Sequence, residues 1–441
     1  MYKFAHITDC HLGAWRNPKL KEINLKAFQK AISICVEEKV DFIAITGDFF
    51  DVNVPELDHV KRAVDIMIQA RRHGIEIYMI YGSHDFTAST VSIIDILHSA
   101  GLFIKPIEFE QIKDKIKLKF IQDKKTAFKI TGLSGRKTGL DSEYYDLLDI
   151  EALESEEDLK IFLFHAPISE LTPVDLAHGE SIPLSLLPKG FIYYGGGHLH
   201  RRIEHKHDDG KSMIVYPGPL FGSTFTDLED TAQGERRGFY IISYDNDNET
   251  ITAEFIETKI VDIIFNTINV NQNTVKQIED KISSMVEQME DLTDKIVLIK
   301  VKGTMVSGKR SDINFSRFEE TLSAKRALVS FINRNNLVSP ETTQVKVFGT
   351  SIEEIEKKVI KERIASIKID PAMTDEKVKN FIKSKLISEH GEFTANNLLL
   401  ALKKEKIENE TLDDFEKRLM HEAKTVMGLS DTNKEINNIA N

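Results

Sequence analysis

Residues 42–51 read Phe-Ile-Ala-Ile-Thr-Gly-Asp-Phe-Phe-Asp and join an apolar run to a polar cluster. The run Phe42–Ile45 is short and uncharged and contains β-branched residues, which is typical of a buried strand. Gly47, Asp48 and Asp51 follow it, so two carboxylates stand just beyond the end of that strand. Open α/β sheets bind their ligands in the crevice beyond the carboxyl ends of their strands. This stretch therefore predicts an α/β fold with a site at one sheet edge.

The surrounding sequence repeats this alternation of short apolar runs and longer helical patterns. Strands are predicted at Phe4–Ile7, Ile75–Tyr81, Ile161–His165 and Phe191–Tyr194, and helices at Lys21–Val36, Glu56–Arg72 and Thr90–Ala100. Arg201–Tyr216 and Gly238–Tyr244 resemble an antiparallel continuation. Such alternation is typical of layered α/β folds, and we assign it to a first domain over residues 1–245.

The remaining sequence predicts four further segments. Residues 246–365 read as a smaller α+β unit, with helices at Val275–Glu290 and Phe315–Arg334 and strands at Lys295–Val301 and Gln344–Phe348. A linker over 366–375 contains Pro371. Residues 376–428 hold three amphipathic helices at Lys377–Ile387, Ala395–Lys404 and Asp413–Val426, and an Asn-rich tail at 429–441 is expected to be disordered.

Composition excludes several classes of protein. The 441 residues include 58 Lys and Arg against 70 Asp and Glu, so a net charge of −12 excludes nucleic-acid binding by bulk attraction. Any phosphate ligand would therefore be held locally. Arg16, Lys19, Arg136 and Lys137 are candidates to supply positive potential near the site, and plain solvated surface residues are the simpler alternative. The sequence has no long uncharged apolar run, signal peptide or phosphate-binding P-loop, and its two cysteines make no disulfide framework. We expect an intracellular protein without a membrane span.

Five polar clusters close predicted strands and consist mostly of aspartate and histidine. Their residues are Asp9 and His11, Asp48 and Asp51, Ser83 and His84, His165, and His198 and His200. Each alone has a simpler explanation, since Gly-Asp-x-x-Asp is common in turns and a lone histidine is often a core residue. Together they predict two metal ions bridged by Asp48, a centre suited to phosphoester hydrolysis. Mixed carboxylate and imidazole ligands favour Mn, Fe or Zn over Mg or Ca.

The combined motifs resemble those of the calcineurin-like metallophosphoesterases. The matching stretches are Thr8–Gly13, Gly47–Asp51, Gly82–Asp85, His165, Gly197–His200 and Tyr216–Gly218. The residues within these motifs are most similar to those of the SbcD-type branch, the DNA double-strand-break repair nucleases. The resemblance implies a four-layer β-sandwich flanked by helices, followed by a small α+β capping domain and a C-terminal helical segment.

The resemblance also implies a role for each site residue. Asp9, His11, Asp48 and His200 would hold one Mn²⁺ ion, and Asp48, His165 and His198 the other, with Fe, Zn or Mg as substitutes. His84 would stabilise or protonate the leaving oxygen, and Asp51 would orient His84. Ser83 departs from the family, which has Asn as a ligand to the second metal. A hydroxyl is a poorer donor than an amide oxygen, so Ser83 would coordinate weakly, act through a water, or leave that site loose.

The implied partners are DNA, an SMC-like coiled-coil ATPase and a second copy of the chain. The homodimer would form through Glu56–Arg72 and Thr90–Ala100, whose apolar residues could instead be wholly buried. The C-terminal helices would bind the ATPase, although a self-contained three-helix domain is the alternative. Two other functions fit the motifs: a phosphatase or cyclic-nucleotide phosphodiesterase on the same fold, and a DNA-bridging scaffold with a weakened metal site.

Overall fold

The computed structural model describes residues 1–86, 91–135, 141–176, 181–206, 211–339, 352–366, 389–404, 407 and 412–427. The chain divides into two compact units, Met1–Pro340 and Glu341–Asn441. The described strands are β1 Tyr2–Ile7, β2 Phe42–Thr46, β3 Glu76–Ile80, β4 Phe109–Ile112, β5 Lys115–Leu118, β6 Ile121–Gln122, β7 Lys129–Leu133, β8 Lys160–His165, β9 Tyr193–Gly197, β10 Ile203–Lys206, β11 Met213–Tyr216, β12 Gly238–Asp245, β13 Thr250–Glu257, β14 Ile263–Asn269, β15 Ile296–Thr304, β16 Val329–Asn333 and β17 Leu337–Val338.

The α-helices of the described residues are α1 Pro18–Glu37, α2 Leu57–Arg72, α3 Ile93–Ser99, α4 Asp141–Asp146, α5 Ile150–Ser155, α6 Phe225–Ala232, α7 Val275–Gln288, α8 Phe315–Ala324, α9 Ile352–Ser366, α10 Glu389–Leu402 and α11 Leu412–Val426. Among these residues, no helix combines the length and the apolar character that crossing a bilayer requires.

The first sheet has the strand order β13-β12-β1-β2-β3. Strands β1, β2 and β3 pair in parallel, so their carboxyl ends meet at one edge. The polar clusters that begin at Asp9, Asp48 and Ser83 follow these three strands. Because each cluster follows its strand within a few residues, the sheet brings together side chains that are far apart in sequence.

The second sheet has the strand order β10-β11-β9-β8-β7-β6. Strands β7, β8, β9 and β11 run in parallel, so His165 at the end of β8 and His198 just after β9 lie at a common edge. Side chains alternate along β8 as the pleat requires. Ile161 and Leu163 face the first sheet, and Phe162 and Phe164 pack on the other face.

The two sheets pack face to face between two layers of helices. Their shared core includes Phe4, Phe42 and Tyr78 from the first sheet and Leu163 and Tyr193 from the second. Buried residues of α1, α2 and α3 cover the outer face of the first sheet. Residues of α4 and α5 cover the outer face of the second. The predicted four-layer α/β sandwich is confirmed.

The segment after the sandwich forms a smaller sheet with helices on it. Parallel strands lie in the order β14-β15-β16, and β17 also pairs with β15. Helices α7 and α8 bury Ile278, Ile282, Phe318 and Leu322 against it. We call residues 259–339 the cap. In the C-terminal unit, α10 packs against both α9 and α11.

Several boundaries differ from those predicted. Strand β13 pairs with β12 along its length, so the first sheet runs to Glu257 rather than ending near 245. The division into two compact units falls after Pro340, whereas the linker was predicted at 366–375. The helix predicted at Phe315–Arg334 ends at Ala324, because Arg326 has a φ of 67° and the β-prone Val329–Asn333 then pairs with β15.

The helix predicted at Thr90–Ala100 is a single short helix, Ile93–Ser99, closed by a capping box between Ser92 and Asp95. Several other predictions fall outside the described residues. These are the strand Gln344–Phe348, the helix Lys377–Ile387, the tail 429–441, most of the linker, and the basic residues Arg136 and Lys137.

Candidate metal centre

Backbone hydrogen bonds join the loops that follow β1 and β2. The His11 N–H donates to the Asp48 carbonyl over 2.9 Å, and the Asp9 N–H donates to the Gly47 carbonyl over 3.2 Å. Asp9, His11 and Asp48 all have positive φ values, of 48°, 41° and 49°. Side chains other than glycine seldom adopt this conformation, and such strain collects at functional sites. The loops therefore hold three polar side chains in strained positions that face one another.

Two glycines allow the close approach of the segments that carry the site. A Cβ atom on Gly82 would lie 2.2 Å from Asp48 Oδ1, and one on Gly197 would lie 2.1 Å from the Thr46 carbonyl oxygen. Any larger side chain would push the loops after β3 and β9 away from β2. The glycines in Gly-Ser-His-Asp and Gly-x-His are thus explained by packing at the site.

The first group of potential ligands consists of Asp9, His11 and His200, whose donor atoms lie within 4.8 Å of one another. The Nε2 atoms of His11 and His200 face each other across 3.2 Å. His200 Nδ1 is 3.1 Å from the Asp227 carboxylate, and His11 Nδ1 is 3.2 Å from Asp51 Oδ1. The Asp227 carboxylate at His200 Nδ1 favours the tautomer in which Nε2 carries a lone pair, whereas His11 Nδ1 makes no hydrogen bond to the described residues. Both rings therefore direct a ligand atom into one shared space.

The second group consists of Asp48, His165 and His198, again with donor atoms within 4.8 Å. His165 Nδ1 donates a hydrogen bond to the Thr46 carbonyl over 2.7 Å, so Nε2 is the ring atom left to bind a metal ion. That Nε2 is buried and makes no hydrogen bond to the described residues, although Asp48 Oδ2 lies 3.2 Å away. An orphaned buried nitrogen beside a carboxylate oxygen fits the ligand set of a divalent cation.

The electrostatics of Asp48 and His165 support this fit. Burial alone would lower the pKa of His165, but the Asp48 carboxylate outweighs it and raises the pKa to about 10. Burial would conversely raise the pKa of Asp48, but His165 and then His11 hold it well below its usual range. The side chains around Asp48 therefore favour a positive charge between them, and a bound metal ion would replace the proton on His165.

Asp48 occupies the central position of the site. Its Oδ2 lies 3.2 Å from His165 Nε2 and 3.8 Å from His11 Nε2, so one carboxylate reaches both groups of ligands. Oδ1 accepts the His84 backbone N–H over 2.8 Å, and Oδ2 accepts the Ser83 hydroxyl over 3.3 Å. Ser83 thus contacts the carboxylate predicted to bridge the metals. This contact is compatible with weak coordination by the hydroxyl, with coordination through a water, and with a loose second site.

His84 lies at the exposed mouth of the site. Its Nδ1 donates to the backbone carbonyl of Asp51 over 2.6 Å, so that carbonyl holds the ring in place. The Asp51 carboxylate faces His11 instead. Asp51 therefore contacts both histidines, through different atoms. The His84 ring also forms a third group with His11 and Asp48, with donor atoms within 4.8 Å, so a ligand role is the alternative to an acid role.

Three buried residues of the site were not singled out from the sequence. Asp85 accepts the backbone N–H groups of Phe49 and Gly82, and burial and then the Asp48 charge raise its pKa to about 7. Asp227 and Arg237 lie behind His200. The sequence Thr224-Phe225-Thr226-Asp227 carries the [ST]-x-x-[DE] signal of a helix start, but this spacing does not reveal the contact with His200.

Of the basic side chains named from the sequence, two lie in the described part of the chain. Arg16 is exposed, and Lys19 Nζ donates to the Leu328 carbonyl of the cap over 2.9 Å. Lys19 therefore contributes to the junction with the cap.

Comparisons with known proteins agree with this site. The calcineurin-like phosphoesterase family model matches residues 2–202, a range that includes every potential ligand. The chain is similar to the DNA double-strand break repair protein Mre11 of Archaeoglobus fulgidus, with 23% identity over 81% of this chain and 80% of that protein. The protein of the same name from Sulfolobus acidocaldarius is 28% identical over 90% of this chain and 97% of its own length.

Among solved structures, a dimetal phosphatase from Danio rerio covers 58% of this chain and 96% of its own, with 10% identity and a TM-score of 0.35. The family match and the clustered ligand atoms agree on the same residues. Residues 2–202 are therefore similar to calcineurin-like phosphoesterase domains, and the chain is a metal-dependent phosphoesterase.

Proposed function

We propose that this protein is a Mn²⁺-dependent DNA nuclease that processes DNA ends in double-strand-break repair. One observation carries the proposal: Asp48 Oδ2 lies within 3.8 Å of imidazole nitrogens from both ligand groups, as a bridging ligand requires. The names of the relatives, which align over most of this chain, support DNA as the substrate. A location with the chromosome follows from that substrate.

Each residue has a definable role in this reaction. Asp9, His11, Asp48 and His200 would hold one ion, and Asp48, His165 and His198 the other. Two divalent ions bound there would polarise the phosphate and lower the pKa of a water molecule. His84 would donate a proton from Nε2 to the leaving oxygen, while its Nδ1 stays hydrogen-bonded to the Asp51 carbonyl. Mn²⁺ is proposed over Mg²⁺ because the ligand set mixes carboxylates with neutral imidazoles, with Fe and Zn as substitutes.

A substrate comparison tests the proposal directly. The full chain is supplied with Mn²⁺ or Mg²⁺ and given linear DNA, plasmid DNA, p-nitrophenyl esters and cyclic nucleotides. We expect Mn²⁺-dependent loss of linear DNA. Cleavage of the small esters or cyclic nucleotides alone would support the phosphatase or phosphodiesterase. DNA binding without any hydrolysis, together with less than one metal ion per chain, would support the scaffold.

The substitution Ser83→Asn tests whether the serine hydroxyl makes the second metal site bind its ion weakly. The amide oxygen should restore a carbonyl ligand worth about 1–3 kcal/mol, which is a roughly 5- to 150-fold gain in apparent Mn²⁺ affinity. A Mn²⁺ titration of nuclease activity gives the half-saturation concentration, with Ser83→Ala as the control that has no donor atom. An unchanged value in Ser83→Asn would mean that the native hydroxyl, or a water it holds, already completes the site.

A homodimer is proposed through the face formed by α2, α3 and the loop before α2. Apolar side chains stay exposed there: Val52, Val54, Leu57, Val91 and Ile96, with Val54 79% and Leu57 78% exposed. A two-fold interface would bury such a face. Light scattering should give twice the mass of one chain, and Ile96→Glu should give one chain. Val306→Glu, at a similarly exposed apolar residue of the cap, is the control and should stay dimeric.

The C-terminal unit is proposed to bind the coiled-coil ATPase. Phe393 and Leu400 on α10 and Met420 on α11 are all more than half exposed, so both helices present apolar surface that a partner would cover. Removal of residues 341–441 should abolish co-purification with the ATPase and leave the nuclease activity, because the remaining unit has its own cores. ATPase binding by the truncated chain would place the contact elsewhere.

A further inference from the structure

Helix α6 contacts the metal ligand His200 through a buried aspartate. Asp227 is 4% exposed, and both of its carboxylate oxygens lie 3.1 Å from His200 Nδ1. The same carboxylate accepts the backbone N–H groups of Ser223 and Thr224 at the start of the helix. Asp227 therefore cannot move relative to the helix start, and a shift of α6 would turn or release the His200 ring.

A buried arginine strengthens this connection. Arg237 is also 4% exposed and donates from Nη1 to the His200 carbonyl, from Nη2 to the Asp227 carbonyl and from Nε to Thr231 Oγ1. It thus joins the backbone of the metal ligand to two residues of α6. His200 is fixed to this helix at both its ring and its main chain.

The opposite side of α6 contacts the cap. Lys300 of β15 places Nζ 2.8 Å from both carboxylate oxygens of Glu229, and this glutamate is largely buried. Phe225 at the start of α6 packs edge-on against Phe331 of β16. Phe331 also contacts Trp15, whose indole donates to the Gly222 carbonyl just before α6. Asp227 is two positions from Phe225 and two from Glu229, so opposite sides of one short helix contact the metal ligand and the cap.

We propose that α6 couples the cap to the metal centre: Asp227 is the positioning residue for His200, and the Lys300–Glu229 ion pair holds the helix where Asp227 can act. Displacement of the cap would then weaken the ion held by His200 without touching any ligand. The inference rests on the proposed assignment of His200 as a ligand, but it does not depend on DNA being the substrate.

Mn²⁺ binding to the full chain, followed by the spectroscopic signal of free Mn²⁺, tests the first link. His200→Ala identifies the binding step to which His200 contributes. Asp227→Asn should weaken that same step by roughly 10- to 100-fold, the usual effect of removing a partner that orients a ligand. If Asp227→Asn weakens neither step, or weakens both equally, Asp227 does not position His200.

The second link is tested with two lysines that are matched in exposure. Lys300→Met keeps the aliphatic stem but loses the contact with α6, and it should weaken the His200 step by roughly 2- to 30-fold. Lys300→Arg should restore it. Lys295→Met is the control, because Lys295 is equally exposed but pairs with Asp291 inside the cap. An unchanged affinity in Lys300→Met, or an equal loss in Lys295→Met, would overturn the coupling. Wild-type chain that binds two ions but leaves DNA intact would overturn the proposed function alone.

Discussion

Replacing His84 by alanine is expected to reduce phosphodiester hydrolysis by about 10²- to 10⁴-fold while both metal-binding steps persist. The His84 ring lies at the exposed mouth of the site. Its Nδ1 is hydrogen-bonded to the Asp51 carbonyl, so Nε2 is the atom that would donate a proton. Such a ring would act on the leaving oxygen in the transition state, so its loss should lower kcat much more than it raises KM.

His73→Ala is the matched control for this experiment. His73 is also exposed, and its Nδ1 also contacts a backbone carbonyl, that of Gln69, over 2.9 Å. It lies at the end of α2, outside the site. This variant should keep full activity. If His84→Ala loses metal in parallel with activity, His84 belongs to the ligand group that it forms with His11 and Asp48.

Asp48→Asn should have the largest effect on metal binding. The amide can still accept the His84 backbone N–H, so the loop after β3 keeps its anchor. The second atom, however, becomes an uncharged donor that faces His165 and both metal positions. Loss of one partner from a buried charge pair costs about 3–5 kcal/mol, so we expect both Mn²⁺ affinities to fall by roughly 10²- to 10⁴-fold.

A buried carboxylate outside the site gives the control for Asp48→Asn. Asp123 is 2% exposed and accepts hydrogen bonds from Tyr78 and Thr126. Asp123→Asn should lower the melting temperature but leave both Mn²⁺ affinities unchanged. If Asp48→Asn weakens only one of the two binding steps, Asp48 does not bridge the ions.

The potential ligands could be predicted from sequence because each follows a recognisable strand. Asp9, Asp48, His84, His165 and His198 lie at or just beyond strand ends, and parallel pairing brings such ends together. Residue type and position after a strand were therefore sufficient to assign these side chains to one site. The family resemblance then divided them between two ions, and that division stays a prediction, since the donor atoms of His11, Asp48 and His84 also form a group.

The residues behind the ligands could not be predicted in this way. Asp227 lies 27 positions from His200 and Arg237 lies 37 positions from it, and no local pattern links them. Their proximity results from the packing of α6 against the cap and the hydrophobic core beside the first sheet. Similarly, Phe315–Arg334 has enough apolar residues for one long helix, but pairing of Val329–Asn333 with β15 outweighs that periodicity.

The carboxylate of Asp48 is proposed to hold two metal ions between two groups of histidines. Crystals of the full chain soaked in Mn²⁺ and measured at the manganese absorption edge would locate the ions directly. We expect two anomalous peaks roughly 3.5–4 Å apart, each bound by an oxygen of Asp48, one beside His11 and His200 and the other beside His165 and His198. A single peak, or two peaks that share no oxygen of Asp48, would contradict it.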